Sequence, residues 1–338
     1  MKQIWITRAG PPEVLQLREA ANPTPRMGEV RVRVEAIGVS FLDVLGRIGK
    51  DPEAPDIPFV PGYGVAGMID MVAQGVTELK EGDAVLASTH FGGYSDLVCI
   101  PHAQVFRRLE WMSAEDGAAL VLDYPLAYLM LVVLGSLRKG TTVLIHDAAT
   151  EVGIAAVDIC RSLGAKTFGT APPDKHDFLR ERGLAQPIDY YSRDYEEVVR
   201  QLTNGRGVQL ILDPFGGLHW KKNYRLLMPT GRVVHFSSGR TISERSGTWL
   251  DMLSNLLVLP FYTPLKLMKD NKGVLGVNLA YLWPYTELQR EWMEQIITWY
   301  DEALFRPRID RVFSFNQVPQ AHHYVQQRKN AGKVLLAP

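Results

Sequence analysis

Two acidic residues occupy a turn in which bare backbone usually meets bound phosphates. Residues 142–146 are typical of a buried strand, residues 152–163 of an amphipathic helix, and the turn between them carries Asp147 and Glu151. Units of this kind bind the diphosphate of a dinucleotide at the helix N-terminus, through a glycine-rich turn. A carboxylate about 4 Å from a phosphate charge costs roughly 4 kcal/mol at an effective dielectric near 20. The sequence therefore predicts a dinucleotide scaffold and leaves two interpretations of the turn open: nucleotide affinity is reduced or absent, or the Glu151 side chain turns outward or caps the start of the helix.

Composition excludes several other classes of function. The 338 residues suffice for two domains, and 37 basic residues balance 37 acidic ones without a long basic run, which argues against a nucleic acid partner. Two cysteines, Cys99 and Cys160, are too few for a disulfide framework or a cysteine zinc cluster. The N-terminus lacks a signal-peptide pattern, and Asp123 and Pro125 interrupt the apolar run 117–135. We therefore expect a cytoplasmic protein without membrane association.

The elements that position the turn form an α/β pattern. The first third of the chain is typical of a small β-barrel, because residues 30–35 alternate with period two and glycines and prolines separate short strands. From about residue 114, helices alternate with strands, which predicts a parallel sheet with right-handed crossovers. The strands predicted after the first are 166–170, 187–190, 208–213 and 232–236.

An apolar insert at about residues 240–272 interrupts this alternation. One or two amphipathic helices are predicted there, and their role stays open. The apolar face can belong to the core or to a dimer interface, or the insert can form a mobile lid. Residues 287–304 are then typical of a helix, and residues 332–336 of a final strand.

Short motifs spread over nearly the whole chain carry a family resemblance. They occupy residues 38–43, 58–63, 92–98, 212–217, 276–281, 308–310 and 332–336. In this order they resemble the medium-chain dehydrogenase/reductase superfamily, and within it the zinc-free quinone oxidoreductases and the VAT-1-like branch. The resemblance implies a GroES-like β-barrel catalytic domain over 1–120, completed by 275–338, and a doubly wound Rossmann domain over 121–274. It also implies an active site in the cleft between the domains, and a homodimer.

The resemblance further implies which residues face a substrate. Zinc-using relatives carry a cysteine at the position of Ser40 and a His–Glu pair at Tyr63 and Gly64, so the usual ligands are missing and we expect no metal. Asp43 matches the family. The phenols of Tyr63 and Tyr124 are candidates to donate a hydrogen bond to a substrate carbonyl. The predicted catalytic set is therefore Ser40, Asp43, Tyr63 and Tyr124.

NADPH is the cofactor that the resemblance implies. The strand ending at Thr170 lacks the acidic residue of an NAD site. In the quinone oxidoreductases a lysine and a tyrosine at the positions of Lys175 and Tyr190 hold the 2′-phosphate. Alternatively, Lys175 caps a solvated helix and Tyr190 packs. The predicted cofactor-binding set is Thr150, Glu151, Val152, Thr170, Lys175, Tyr190, Phe215, Ser237 and Asn278.

Three hypotheses follow. The first is a zinc-independent, NADPH-dependent reductase of quinones or other activated alkenes, which would take a small apolar or quinone-like substrate. The second is a degenerate oxidoreductase with an impaired cofactor turn, acting as a non-redox enzyme or as a binding protein for an apolar metabolite. The third, a protein at the membrane surface, depends only on the apolar residues 253–267.

Overall fold

The computed structural model describes residues 1–236 and 260–338. The described chain divides into two compact units, Met1–Pro125 with Ala280–Pro338, and Leu126–Leu279. The second boundary lies after the predicted position at 274/275, because residues 273–276 form a strand of the second unit. Most of the predicted apolar insert, residues 240–259, lies outside the described residues.

The secondary structure elements are numbered here in chain order. The strands in the described residues are β1 (Lys2–Ile6), β2 (Leu15–Glu19), β3 (Glu29–Val39), β4 (Gly64–Val72), β5 (Ala84–Ser88), β6 (Leu97–Pro101), β7 (Val105–Arg107), β8 (Thr142–Ile145), β9 (Lys166–Thr170), β10 (Gln186–Ile188), β11 (Val208–Asp213), β12 (Leu227–His235), β13 (Gly273–Gly276), β14 (Ile309–Ser314) and β15 (Lys333–Ala337). The helices in the same residues are α1 (Phe41–Arg47), α2 (Ala114–Leu120), α3 (Asp123–Tyr128), α4 (Glu151–Ser162), α5 (His176–Glu181), α6 (Tyr195–Leu202), α7 (Leu218–Leu226), α8 (Pro264–Asp270), α9 (Leu279–Leu282), α10 (Thr286–Asp301) and α11 (Val318–Gln326).

The first unit is built on a mostly antiparallel sheet. Its described strands follow the order β14-β15-β3-β4-β5-β7, and β6 also pairs with β3. The period-two pattern of β3 is real, since Val30, Val32 and Val34 are buried while Arg33 between them is exposed. Gly67 permits the close pairing of β3 and β4, because a Cβ there would lie 2.0 Å from the carbonyl oxygen of Arg33. The buried valines join one hydrophobic core.

The second unit is a parallel sheet with helical crossovers. Its described strands follow the order β10-β9-β8-β11-β12-β13, and every pair is parallel. The chain winds from β8 outward to β10 and then returns to β11 on the other side of β8. Ligands of such sheets bind at the carboxyl ends of the strands where the winding reverses. The carboxyl ends of β8 and β11 are therefore the first place to look for a nucleotide site.

One helical stretch, residues Ala114–Val133, is long and apolar enough to cross a membrane by length and composition. In its most apolar window, 67% of the residues are buried inside the protein. The core helix of a folded domain has the same length, composition and burial, so this stretch is no argument for membrane insertion.

A buried ion pair ties β15 to the start of α3 within the first unit. The Nζ of Lys333 lies 2.8 Å from Oδ2 of Asp123, and the two side chains are 4% and 6% exposed. Gly38 on the neighbouring strand leaves room for the lysine stem, because a Cβ there would lie 2.8 Å from Cε of Lys333. Removing one partner of such a pair leaves the other charge buried without compensation.

We therefore expect Asp123→Ala to lower the free energy of unfolding by about 3–5 kcal/mol. Glu35→Ala is the matched control in the same unit, because Glu35 is 42% exposed and pairs with Arg108 at 3.2 Å. An exposed pair contributes about 0–1 kcal/mol. Urea titration followed by circular dichroism measures both variants, and equal losses would contradict the assigned role of the buried pair.

Candidate functional site

The turn after β8 is held by hydrogen bonds to the end of β9. The hydroxyl of Thr170, which is fully buried, accepts from the backbone N–H of Asp147 at 3.1 Å and lies 3.2 Å from Nδ1 of His146. The N–H of Ala148 donates to the carbonyl of Thr170 at 2.9 Å. Asp147 itself has a φ of 51°, a conformation uncommon for a residue with a Cβ. The predicted cofactor residue Thr170 is thus engaged with the turn.

Helix α4 begins directly on this turn. Thr150 is its N-cap, where the hydroxyl accepts from the N–H of Gly153 at 3.2 Å and donates to the carbonyl of Asp147 at 2.8 Å. A Cβ on Gly153 would lie 2.4 Å from that same carbonyl oxygen, so only glycine fits. Glu151 is the first residue of α4, and Val152 follows it in the first turn. The helix N-terminus therefore carries a carboxylate of its own chain, at the end that the helix dipole makes attractive to anions.

The two residues predicted to meet a 2′-phosphate lie at the same edge of the sheet. Lys175 ends the 3-10 turn Pro173–Lys175, shortly after β9, and its Nζ lies 3.8 Å from Oδ2 of Asp174. Tyr190 follows β10, which pairs with β9, and its hydroxyl donates to that of Tyr191 at 3.3 Å. The lysine side chain is 18% exposed. Both groups therefore stand beyond the carboxyl ends of neighbouring strands.

A cavity of about 360 Å³ opens beside Tyr190, beyond the ends of β10 and β11. Its lining combines aromatic rings with charged side chains, namely Tyr190, Arg193, Asp194, Tyr195, Phe215, His219 and Lys222. Tyr190 and Phe215 were predicted as cofactor residues, and the structure brings them together with ring centroids 6.5 Å apart. The other lining residues were not among the predicted ones. Their positions in the sequence could have identified them, because they follow the predicted strands 187–190 and 208–213 at the edge of the sheet where ligands bind.

Charge and aromatic stacking shape the cavity wall. Nζ of Lys222 bonds Oδ2 of Asp194 at 2.7 Å and lies 5.4 Å from the ring centroid of Tyr195. Burial, followed by the charge of Asp213, raises the pKa of Tyr195. The phenol therefore stays protonated.

A buried hydrogen-bond chain joins this wall to the turn after β8. Oδ1 of Asn223 accepts from Nε2 of His146 at 2.9 Å and from the hydroxyl of Tyr195 at 3.1 Å. Nδ1 of His219 lies 3.2 Å from the same hydroxyl. Because His146 also contacts Thr170, one set of side chains fixes both the turn and the cavity.

In the first unit, Asp43 is a buried junction between three segments. Its carboxylate accepts from the N–H groups of Ser40 and Gly62, each at 2.8 Å, and from the hydroxyl of Tyr94 at 3.2 Å. Burial raises the pKa of Asp43 to about 7, against the opposing effect of these donors. The hydroxyl of Ser40 accepts from the N–H of Leu42 and so caps α1. Asp43 therefore holds the loop at Gly62 against the start of α1, which Ser40 caps.

The two predicted phenols occupy different surroundings in this unit. The hydroxyl of Tyr63 donates to Oδ2 of Asp51 at 3.0 Å, and its ring lies 5.0 Å from that of Phe91. Tyr124 is 3% exposed and stacks on Phe305 at a centroid distance of 4.7 Å. The O–H of Tyr63 is therefore directed at a carboxylate, and its proton is engaged within the chain.

The remaining predictions concern single residues and a metal. Asn278 is exposed just after β13, whereas Ser237 lies outside the described residues. Across residues 1–236 and 260–338, no group of three His, Cys, Asp or Glu side chains is placed to hold a metal ion.

Comparison with known proteins assigns both parts of the chain to one superfamily. The family "Zinc-binding dehydrogenase" matches residues 182–336, and "Alcohol dehydrogenase GroES-like domain" matches residues 26–110. The chain is 37% identical to the synaptic vesicle membrane protein VAT-1 homolog of Rattus norvegicus, over 96% of this chain and 80% of that protein.

Two solved structures show the same fold over the whole chain. The human VAT-1 homolog-like protein superposes with a TM-score of 0.86 at 27% identity, over 100% of this chain and 98% of that one. The Escherichia coli quinone oxidoreductase complexed with NADPH gives a TM-score of 0.87 at 25% identity, over 100% of both. These matches confirm the predicted family and the predicted α/β fold, with its GroES-like domain and Rossmann sheet. The chain therefore belongs to the medium-chain dehydrogenase/reductase superfamily, as an oxidoreductase of the quinone-oxidoreductase type.

Proposed function

We propose that this protein is a zinc-independent, NADPH-dependent reductase of quinones or other activated alkenes. The observation that carries the proposal is the cavity beyond β10 and β11, where aromatic rings and the cations Arg193 and Lys222 converge. Aromatic faces suit a flat base, and guanidinium and ammonium groups suit phosphate oxygens. The related Escherichia coli enzyme was solved with NADPH, which supports the same cofactor here.

The residues of the second unit fit the two parts of NADPH unequally. Tyr190 and Phe215 would flank the base, and Lys175 would face the 2′-phosphate. At the diphosphate, Gly153 keeps the helix close to the turn, but Thr150 already caps the helix and Glu151 adds a negative charge. The residues around the adenosine end therefore fit the cofactor, whereas the residues around the diphosphate oppose its binding in part.

When bound, reduced nicotinamide supplies a hydride to an electron-poor substrate carbon. The residues of this chain bind and orient the cofactor, and solvent supplies the proton that completes the reduction. Tyr63 donates to Asp51, so its O–H bond is already committed and solvent is the simpler proton source.

We also infer a cytoplasmic homodimer. Cys99 and Cys160 are both free thiols, which suits a reducing compartment. β13 is the outer strand of the described six-stranded sheet, and pairing with a second copy along this strand would extend the sheet.

A second candidate is a degenerate oxidoreductase that uses its fold as a non-redox enzyme or as a binding protein for an apolar metabolite. The first turn of α4 favours it, because Thr150 and Glu151 supply the helix N-terminus with a hydrogen-bond acceptor and a negative charge from the chain itself. Such an end attracts a phosphate less strongly than an uncapped one.

NADPH titration by calorimetry separates the two candidates. We expect weak binding by the unaltered protein, and binding about tenfold tighter or more by Glu151→Gln, because the substitution removes a like charge near the diphosphate. Glu197→Gln is the control, since Glu197 is an exposed acid in the first turn of α6. Failure of both the unaltered protein and Glu151→Gln to bind at millimolar NADPH would leave the second candidate. Oxidation of NADPH in the presence of a quinone then tests turnover.

Lys175→Ala tests the choice between NADPH and NADH. We expect the dissociation constant for NADPH to rise about tenfold and that for NADH to stay unchanged, because a charge-assisted hydrogen bond to the 2′-phosphate is lost. Lys166→Ala is the control, since Lys166 begins β9 at the opposite edge of the sheet. Equal weakening of both nucleotides by Lys175→Ala would remove the lysine from the 2′-phosphate site.

A further inference from the structure

A cluster of aromatic rings in the first unit surrounds a strained residue. The ring of Phe91 lies 5.6 Å from Phe59, 5.0 Å from Tyr63 and 4.9 Å from His90, and His90 stacks on Trp283 at 5.1 Å. Phe91 has a φ of 71°, which is a genuine outlier for a bulky side chain. Strained residues persist where surrounding contacts over-determine them, and they concentrate at ligand sites. We refer to these five residues as the Phe91 cluster.

Hydrogen-bond acceptors border this cluster. Oδ2 of Asp51 accepts from the hydroxyl of Tyr63 at 3.0 Å, and Oδ1 accepts from the backbone N–H of Glu53 at 3.1 Å. A carboxylate has about four acceptor positions, so Asp51 retains capacity for further donors. Asp51 is half-buried, so part of the residue is open to solvent.

The neighbouring titratable groups keep this edge rich in acceptors. Burial, followed by the charges of Asp43 and Asp51, raises the pKa of Tyr63, so its proton stays in the bond to Asp51. Burial lowers the pKa of His90, against the opposing charges of Glu53 and Asp51. His90 is therefore neutral near pH 7 and adds no cation that would favour a carbonyl oxygen.

We propose that Asp51 and the Phe91 cluster form a specificity site for a planar ring that bears a hydroxyl group. The ring lies against the aromatic side chains, and its hydroxyl donates to the carboxylate of Asp51. A quinone or enone without a hydroxyl has only hydrogen-bond acceptors. At this edge its oxygens would lie against the lone pairs of Asp51 and Tyr63, which is unfavourable. The inference rests on the proposed reductase function and names its substrate class, a quinone or enone that carries a hydroxyl.

Two ring probes that differ by one methyl group test the proposal without nucleotide. Hydroquinone monomethyl ether retains one hydroxyl, and the dimethyl ether has none. We expect the full-length protein to bind the monomethyl ether about tenfold more tightly, as measured by ligand-observed NMR titration. Asp51→Ala should reduce this ratio to about one, because the aromatic surface is unchanged and the Tyr63 hydroxyl, released from Asp51, can donate to either ether.

Two further variants serve as matched controls. Glu53→Gln neutralises the neighbouring acid and keeps the backbone donor to Asp51, so the ratio should stay near tenfold. Tyr63→Phe removes the phenol and leaves the carboxylate, so the ratio should stay at tenfold or above. Where a thermal melt shows that Asp51→Ala does not fold, Asp51→Asn takes its place, with an expected ratio of about three, because a neutral oxygen accepts more weakly.

Several outcomes would overturn the inference. They are equal affinity of the unaltered protein for both ethers, an unchanged ratio in a folded Asp51 variant, and binding of neither probe up to its solubility. Since no nucleotide is present, a protein that fails the NADPH titration can still discriminate between the ethers. In that case the reductase proposal fails while the ring specificity stands.

Discussion

The second unit depends on how closely helix α4 approaches the turn after β8. With only 2.4 Å between a Cβ built on Gly153 and the carbonyl oxygen of Asp147, the helix and the turn fit together in one way. That contact fixes the helix N-terminus, whose first residue is Glu151. The close packing usually associated with phosphate binding is therefore kept, but Glu151 adds a negative charge at the helix end that usually attracts a phosphate. Steric and electrostatic requirements of a dinucleotide turn are separable, and this chain meets the first more fully than the second.

Much of the fold could be predicted because its signals are periodic and local. Alternation in β3 indicates a half-buried strand, and β3 pairs within a mostly antiparallel sheet. The succession of strands and helices after residue 114 indicates a parallel sheet, which the second unit contains. The family resemblance led to Tyr190 and Phe215, which line the same cavity. The lining residues at the start of α6 and in the first two turns of α7, such as Lys222, were not predicted. A sequence gives no measure of how two adjacent helices converge on one space.

Other features of the candidate site come from contacts that no spacing rule describes. Asp43 belongs to the predicted catalytic set, yet its three donors come from Ser40, Gly62 and Tyr94, so its role depends on segments that only the folded first unit brings together. The bond between Tyr63 and Asp51 likewise joins a residue beside β4 to the loop after α1. It also reverses the expected chemistry, because a phenol that donates to a carboxylate presents an acceptor to its surroundings.

The buried chain through His146 gives the second unit a shared support for two binding surfaces. His146 meets Thr170, which holds the turn, and Asn223, which holds Tyr195 in the cavity wall. Buried polar networks in a low dielectric tolerate loss of a member poorly, because each unpaired group keeps its desolvation cost. A displacement of the turn therefore changes hydrogen bonds that also set the cavity wall. The acidic turn and the aromatic cavity are therefore coupled through one buried hydrogen-bond network.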